Sequence, residues 1–297
     1  MKLRDLVEKA AAKNAKTIAV AHAADKEVIQ AVKMAAEHLS VRFLLTGDSG
    51  KLKELLANEP KFNAEIIHAD SPEESAAKAV RAVREQEADI LMKGNLPSST
   101  LLKSVLNRHE GLRSKRVLSH VAVFEVPDYD RLMYVTDSAL NIAPSLEELG
   151  HILQNAVHVA HSVGNPMPKA AVLAAIETVN PKMEATLNAA AIVQMCNRGQ
   201  ITGCIADGPL ALDNAVSQAA ALQKGISGSV AGQADILLVP SIEAGNMLYK
   251  SMIYFAKANV AAVIAGAKAP IALTSRADTA ENKLYSIALA ICASQEQ

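Results

Sequence analysis

Short apolar runs alternate with amphipathic stretches almost from one end of the chain to the other. Residues 17–22 form one apolar run, and Asp25 then stands where it can cap a helix to about Ser40. Residues 42–47 repeat the pattern, with a helix around 52–58. Residues 65–69 follow, and Ser71-Pro72-Glu73-Glu74 reads as a helix start, with a capping hydroxyl, a proline in the first turn and carboxylates at the positive end of the dipole. Residues 89–92 make a fourth run that ends on Lys93-Gly94. Strands are predicted again over 170–176, 203–206, 234–239 and 260–265, with helices over 183–198, 213–222 and 246–258 between them. The last helix, 279–293, sets Ala280, Leu284, Ile287, Ala288 and Ile291 on one stripe. Strands separated by helices imply right-handed crossovers and mainly parallel sheets, so the class is α/β.

Composition narrows the partners. At about 150 residues per domain, 297 residues suggest two domains. Thirty basic against 31 acidic side chains leave a net charge of -1, with no field to gather nucleic acid or an acidic membrane. Aromatics are 3% and tryptophan is absent, which argues against a base-stacking platform. Cys196, Cys204 and Cys292 form no CxxC pair, as expected in a reducing compartment. The first nine residues carry charges where a signal peptide is apolar, and no apolar run approaches the ~18 residues of a membrane span. A soluble, cytoplasmic protein is expected.

Several familiar motifs fail. No GxGxxG follows a strand. Thr46-Gly-Asp-Ser-Gly-Lys51 has its glycines too close for a P-loop and Leu52 where a hydroxyl should hold magnesium, so it reads as a strand end and turn. His151, His158 and His161 look like a metal cluster. On a helix, however, the apolar stripe is Leu149, Ile152, Leu153, Ala156 and Ala160, and His151 and His158 point away from it toward solvent. Cys204 sits in an apolar run and reads as a core residue. There is no GxSxG elbow.

What remains is a set of polar clusters at strand ends, where open α/β sheets place ligands. Lys93-Gly94-Asn-Leu-Pro-Ser98-Ser99-Thr100 combines a cation, a glycine and three hydroxyls at a helix start, which suits an anion or simply caps the helix. Asp207-Gly-Pro-Leu-Ala-Leu-Asp213 is expected to follow a strand. Residues 227–232 precede a strand that ends on Pro240-Ser-Ile-Glu-Ala-Gly-Asn246 and leads to Lys250. Ser275-Arg276 lies between a strand and the last helix, where an arginine fork suits a phosphate or a developing oxyanion. Asp278 and Glu281 have the spacing of a capping box.

These blocks carry a resemblance. Residues 229–250 resemble the signature of phosphate acetyl/butyryl transferases, and four further blocks occur in the family's order: Lys93-Gly94 with Ser98-Ser99-Thr100, Thr136-Asp137-Ser138 with Pro144–Glu147, Asp207–Asp213, and Ser275-Arg276. The likeness spans nearly the whole chain and is greatest to the butyryl branch, through residues 174–183 and Ser275-Arg-Ala-Asp278. It implies the fold of isocitrate and isopropylmalate dehydrogenases, two α/β domains around a cleft. These would be residues 1–140 with 262–297, and residues 141–261. It also implies the reaction acyl-CoA + phosphate ⇌ acyl phosphate + CoA.

A thiol of pKa ~8.5 is about 3% ionised at neutral pH, so a base gains at most a factor of roughly thirty. Holding two reactants in place is worth ~10⁵ or more, so positioning and charge stabilisation matter most. The resemblance then implies that Arg276 binds the phosphoryl group with help from Ser275, and that Lys93, Gly94, Ser98, Ser99 and Thr100 form its cradle. Lys103 stands where acetyl-type members have an arginine, which keeps the charge and loses the fork. Asn282 stands where those members have a basic aspartate, leaving Asp278 or Glu281 as the base. Glu177, Asp207, Asn246 and Lys250 line the other wall. Coenzyme A is a substrate, no tightly bound cofactor or metal is required, and a homo-oligomer is expected. Two rival readings are a metal- and NAD-dependent decarboxylating dehydrogenase, using Asp207, Asp213 and Asp235, and a two-domain binder of small ligands.

Overall fold

The structure, a computed structural model, describes residues 1–57, 63–273 and 279–294. The chain divides into two compact units. A split unit takes Leu3–Arg116 with Ala261–Gln297, and a central unit takes Met1–Lys2 with Val117–Val260. The crossings thus fall at 116/117 and 260/261, where the sequence reading places them near 140 and 262.

The split unit begins α1 (Leu3–Ala11), β1 (Lys16–Ala21), α2 (Lys26–His38), β2 (Val41–Gly47), α3 (Ser49–Leu56), β3 (Ala64–His68), α4 (Pro72–Arg84), β4 (Ile90–Lys93) and α5 (Ser98–Val105). Its helices start where the sequence supplies acceptors. Asp25 takes the N–H groups of Glu27 and Val28, Asp48 that of Lys51, and Ser71 that of Glu74 with Pro72 in the first turn. The strand and turn expected at Thr46–Lys51 are therefore β2 and the cap of α3.

The central unit continues β5 (Ser119–Glu125), β6 (Met133–Thr136), α6 (Leu146–Ser162), β7 (Lys169–Leu173), α7 (Glu184–Asn197), β8 (Ile205–Leu210), α8 (Leu212–Val216), α9 (Gln218–Gln223), β9 (Ile236–Leu238) and α10 (Ile242–Tyr254). Strand β10 (Asn259–Ala265) carries the chain back, and β11 (Ile271–Ala272) and α11 (Ala280–Ala293) complete the split unit.

In the split unit the strands lie in the order β3-β2-β1-β4-β11-β10, parallel except for the β10/β11 pair. Ile18–Ala21 of β1 are fully buried, as expected for a central parallel strand covered on both faces. Helix α11 differs from its predicted single stripe. Every residue from Asn282 to Cys292 is buried, because the helix packs between α1, α2 and the sheet.

In the central unit the order is β5-β6-β9-β7-β8, parallel apart from the β5/β6 hairpin. That hairpin stands outside the strand–helix alternation, and only pairing identifies it. Buried Asn155 of α6 fastens its start by donating to the Val117 carbonyl at 3.0 Å and the Ser119 hydroxyl at 2.9 Å. Phe124, Met133, Val135, Leu237 and Val239 meet in the core beneath α10.

The stripe Leu149, Ile152, Leu153, Ala156 and Ala160 is buried as predicted, and His158 is exposed. His151 is only half exposed, and its buried Nδ1 has no hydrogen-bond partner. Two expectations are corrected. The helix over 213–222 is two short helices, because extended Ser217 ends α8 and caps α9 through the Ala220 N–H. Asp207 lies inside β8 rather than after it, and edge strand β8 tolerates Pro209 in its pairing with β7.

Candidate active site

In the split unit the polar chemistry gathers at the carboxyl ends of β1 and β4. The Gly94 N–H donates to the Ala21 carbonyl at 2.9 Å and the Asn95 N–H to the His22 carbonyl at 3.0 Å. A β-carbon at Gly94 would collide with both carbonyl oxygens, so only glycine lets these strand ends close on each other. His22 holds a left-handed φ of 58°, fixed by its N–H donating to Ser75 Oγ at 2.7 Å. Burial, with the charge of Lys51, keeps its imidazole below the ordinary pKa. Asn95 Nδ2 donates to Asp25 at 3.0 Å, and Lys283 Nζ reaches Glu27 at 3.2 Å. The loop before α5 is thereby tied to the start of α2, and the start of α2 to the first turn of α11.

The sequence-predicted residues occupy this edge unequally. Lys93 is 6% exposed, and its ammonium donates to the Gly94 and Leu96 carbonyls at 3.2 Å each, closing over its own loop. Ser98 and Ser99 are exposed and Thr100 half-exposed on the first turn of α5, whose N-cap Pro97 offers no side-chain acceptor. Lys103 is exposed one turn above Ser99.

Thr279 is the cap of α11, accepting the Asn282 N–H at 3.1 Å. Asn282 is buried, whereas Glu281 is exposed and accepts the Tyr285 hydroxyl. Ser275, Arg276 and Asp278 lie outside the described residues.

In the central unit, Asn246 of α10 donates to the Ser138 carbonyl at 3.3 Å, and Lys250 stands 5.5 Å from the Tyr249 ring centre. Glu177 accepts from Asn214 at 3.2 Å and from Lys224 at 3.4 Å. Asp213 shares that lysine, which holds the Asp213 carboxyl below its usual pKa. Asp207 accepts the N–H of Gly208 at 2.8 Å. Among the described residues no hydrogen bond or ion pair joins the Asn246 group to the Glu177 group. Asp235 is engaged separately, accepting from the Lys169 N–H at 2.9 Å and Asn165 at 3.2 Å. Among the described residues, no group of three or more His, Cys, Asp or Glu is gathered to hold a metal.

Residues 61–291 match the family model described as phosphate acetyl/butaryl transferase. The chain belongs to that family. A probable phosphate butyryltransferase of Bacillus subtilis is 76% identical over 296 residues, covering 100% of this chain and 99% of that protein. A phosphate butyryltransferase of Clostridium beijerinckii is 45% identical over 277 residues, 93% and 92% of the two chains. The crystal structure of a branched-chain phosphotransacylase from Enterococcus faecalis is similar with a TM-score of 0.82 at 35% identity, over 94% of this chain and 98% of that one.

For this phosphate acyltransferase, sequence reasoning passed over a constellation built on Asp137. That carboxylate is 3% exposed. It accepts the N–H groups of Ala139, Leu140 and Asn141 at 2.8, 3.1 and 3.2 Å, and the Asn141 amide as well. Ser138 pairs with the Nδ1 of fully buried His120 at 2.8 Å. Burial lowers the His120 pKa, against the opposing pull of Asp137. Gly245 of α10 packs so closely on this turn that a β-carbon would meet the Asp137 carbonyl oxygen. The available signal was the Thr136-Asp137-Ser138 block with Asn141 one turn on. A short polar run gives no hint that it is buried.

Proposed function

We infer that the protein transfers a short-chain acyl group between coenzyme A and inorganic phosphate: acyl-CoA + phosphate ⇌ acyl phosphate + CoA. Family membership over residues 61–291 carries this reading. The dehydrogenase reading is not favoured, since Asp207, Asp213 and Asp235 each serve a local partner of their own.

Thioester and acyl phosphate are already activated, so the reading calls on no resident cofactor or metal. Its demands are anion binding, alignment and stabilisation of charge on the reacting carbonyl. Arg276 binds the phosphoryl group as a fork and Ser275 donates to the same oxygens. The first turn of α5 supplies backbone N–H groups and the hydroxyls of Ser98, Ser99 and Thr100, with Lys103 adding charge from one turn above. Lys93 acts by holding the loop, because its ammonium is bonded to that loop's carbonyls. Gly94 sets the close approach. Asp278 or Glu281 takes the thiol proton, and Asn282 contributes to substrate binding. Glu177, Asp207, Asn246 and Lys250 line the coenzyme side.

No helix among the described residues is long and apolar enough to cross a membrane, in keeping with a cytoplasmic enzyme. Met247, Tyr254 and Phe255 are 64%, 57% and 86% exposed on and just beyond α10, which supports association of like subunits through that helix.

Release of CoA thiol from acetyl-, butyryl-, isobutyryl- and octanoyl-CoA, with and without phosphate and in the presence of chelator, tests the reading. Phosphate-dependent release that peaks at four carbons is expected, and Arg276→Ala should abolish most of it. Full activity in that variant removes the arginine from the scheme. Absence of phosphate-dependent release from every substrate overturns the function.

A further inference from the structure

The central unit contains a pocket of about 370 Å³ whose lining includes none of the candidate catalytic or substrate-binding residues placed above. Its floor is Leu149, Val172, Leu173, Ala189, Leu238 and Val239, all buried. Leu173 ends β7 and Leu238 ends β9, so the pocket opens at the carboxyl ends of adjacent parallel strands, where open α/β sheets bind ligands. The first turns of α6 and α7 form its sides, and Ser145, Glu184 and Asn188 supply its polar rim.

The chemistry of the lining selects among the parts of the substrates. None of the residues lining the pocket is a cation, and Glu184 places a carboxylate at the rim, which disfavours phosphate or the phosphates of coenzyme A. A buried floor of aliphatic side chains suits hydrocarbon. The volume lies near the lower end of the ~300–1,000 Å³ usual for small-ligand sites, room for a short or branched chain rather than a long one.

Helix α7 explains why the space exists. Ala185 and Ala189 lie four residues apart on one face, and Glu184 and Asn188 lie four apart beside them. One pair presents methyl groups where larger side chains would fill the pocket, and the other pair keeps its mouth polar.

We propose that this pocket receives the acyl chain of the substrate, and that Ala185 and Ala189 set the length and branching it accepts. The inference rests on the phosphate acyl transfer proposed above and specifies its substrate.

The test is kcat/KM for phosphate-dependent CoA release from acetyl-, butyryl-, isovaleryl- and octanoyl-CoA, for the wild type and for Ala185→Phe at the half-buried edge. Ala189→Val is the gentler change at the floor, where Ala189 packs against Gly208. Ala185→Phe should lower butyryl and isovaleryl turnover by about tenfold or more relative to acetyl, the size expected when a hydrophobic subsite is blocked. Its KM for phosphate should be unchanged. Ala189→Val should shift preference the same way by a smaller factor, and Val239→Ala should raise relative activity on octanoyl-CoA. An equal fall for every acyl group, carried by the KM for CoA, would assign the pocket to another part of the coenzyme and overturn the proposal. An unchanged chain-length profile in all three folded variants overturns it as well. A wild type inactive on every substrate fails at an earlier point, by removing the acyl transfer on which the proposal depends.

Discussion

The two units use the carboxyl ends of their strands differently. In the split unit the strand ends are crowded with backbone. Gly94 lies against the Ala21 and His22 carbonyls, Lys93 folds over its own loop, and what faces outward is the hydroxyl-rich first turn of α5. In the central unit the corresponding edge holds a sealed polar turn at Asp137 and, beside it, an apolar cup. One edge is arranged to present donors, the other to present shape. Acyl transfer to phosphate calls on both, and in the scheme proposed above the split unit supplies the donors and the central unit the shape.

The sharpest way to break this comparison is at the two crowded glycines. Gly94→Ala forces a β-carbon into two carbonyl oxygens, and Gly245→Ala forces one into the Asp137 carbonyl. Each should cost about 3 kcal/mol, the upper end for overpacking, with loss of activity. Urea unfolding of both variants checks this, and a tolerated Gly94→Ala would show that the split unit's edge is less tightly set than drawn.

Next in size is Asp137→Asn, which replaces a buried acceptor of four donors by a group that brings donors of its own. A loss of about 2 kcal/mol is expected, read as a lower midpoint of thermal unfolding. An unchanged midpoint would mean the turn is held by α10 alone.

Each unit also carries an imidazole that burial holds below the ordinary value of about 6.5, buried His120 in the central unit and half-buried His22 in the split unit. The unfolded chain therefore takes up these protons first as pH falls, so stability rises with pH across the window. The contribution is complete above about 6.5 and is lost as pH falls through the lowered folded values. His120→Gln should flatten the dependence of unfolding free energy on pH below that point, and His22→Gln should flatten it less. Parallel curves for His120→Gln and the wild type would show that other groups cause the acid loss.

The smallest effect is expected at Lys224, an exposed lysine shared by Glu177 and Asp213. Lys224→Ala should leave the unfolding midpoint unmoved within error, as surface pairs of this kind usually do. A measurable fall would give that cluster a weight its exposure does not suggest.

Much of this was readable along the chain. The caps at Asp25 and Ser71 and the buried stripe of α6 follow from local chemistry, because each depends on neighbours within a few turns of one helix. The β5/β6 hairpin was not legible, since its pairing partners are not set by the helix–strand rhythm. Nor was the break at Ser217, where a single hydroxyl competes with helix continuation. Lys93 read as part of a phosphate cradle, and only the fold showed its ammonium bonded to the carbonyls of Gly94 and Leu96.

The sequence by itself determined the α/β class, the helix starts, the order of the polar blocks and, through those blocks, the family. Tertiary structure alone decided that Asp137 is buried and satisfied, that Asn246 reaches Ser138, and that Ala185 and Ala189 border a space rather than a packed wall. The division has a physical cause. Caps and periodicity are energies of nearest neighbours and are written consecutively, whereas burial and cavity volume are sums over residues far apart in the chain.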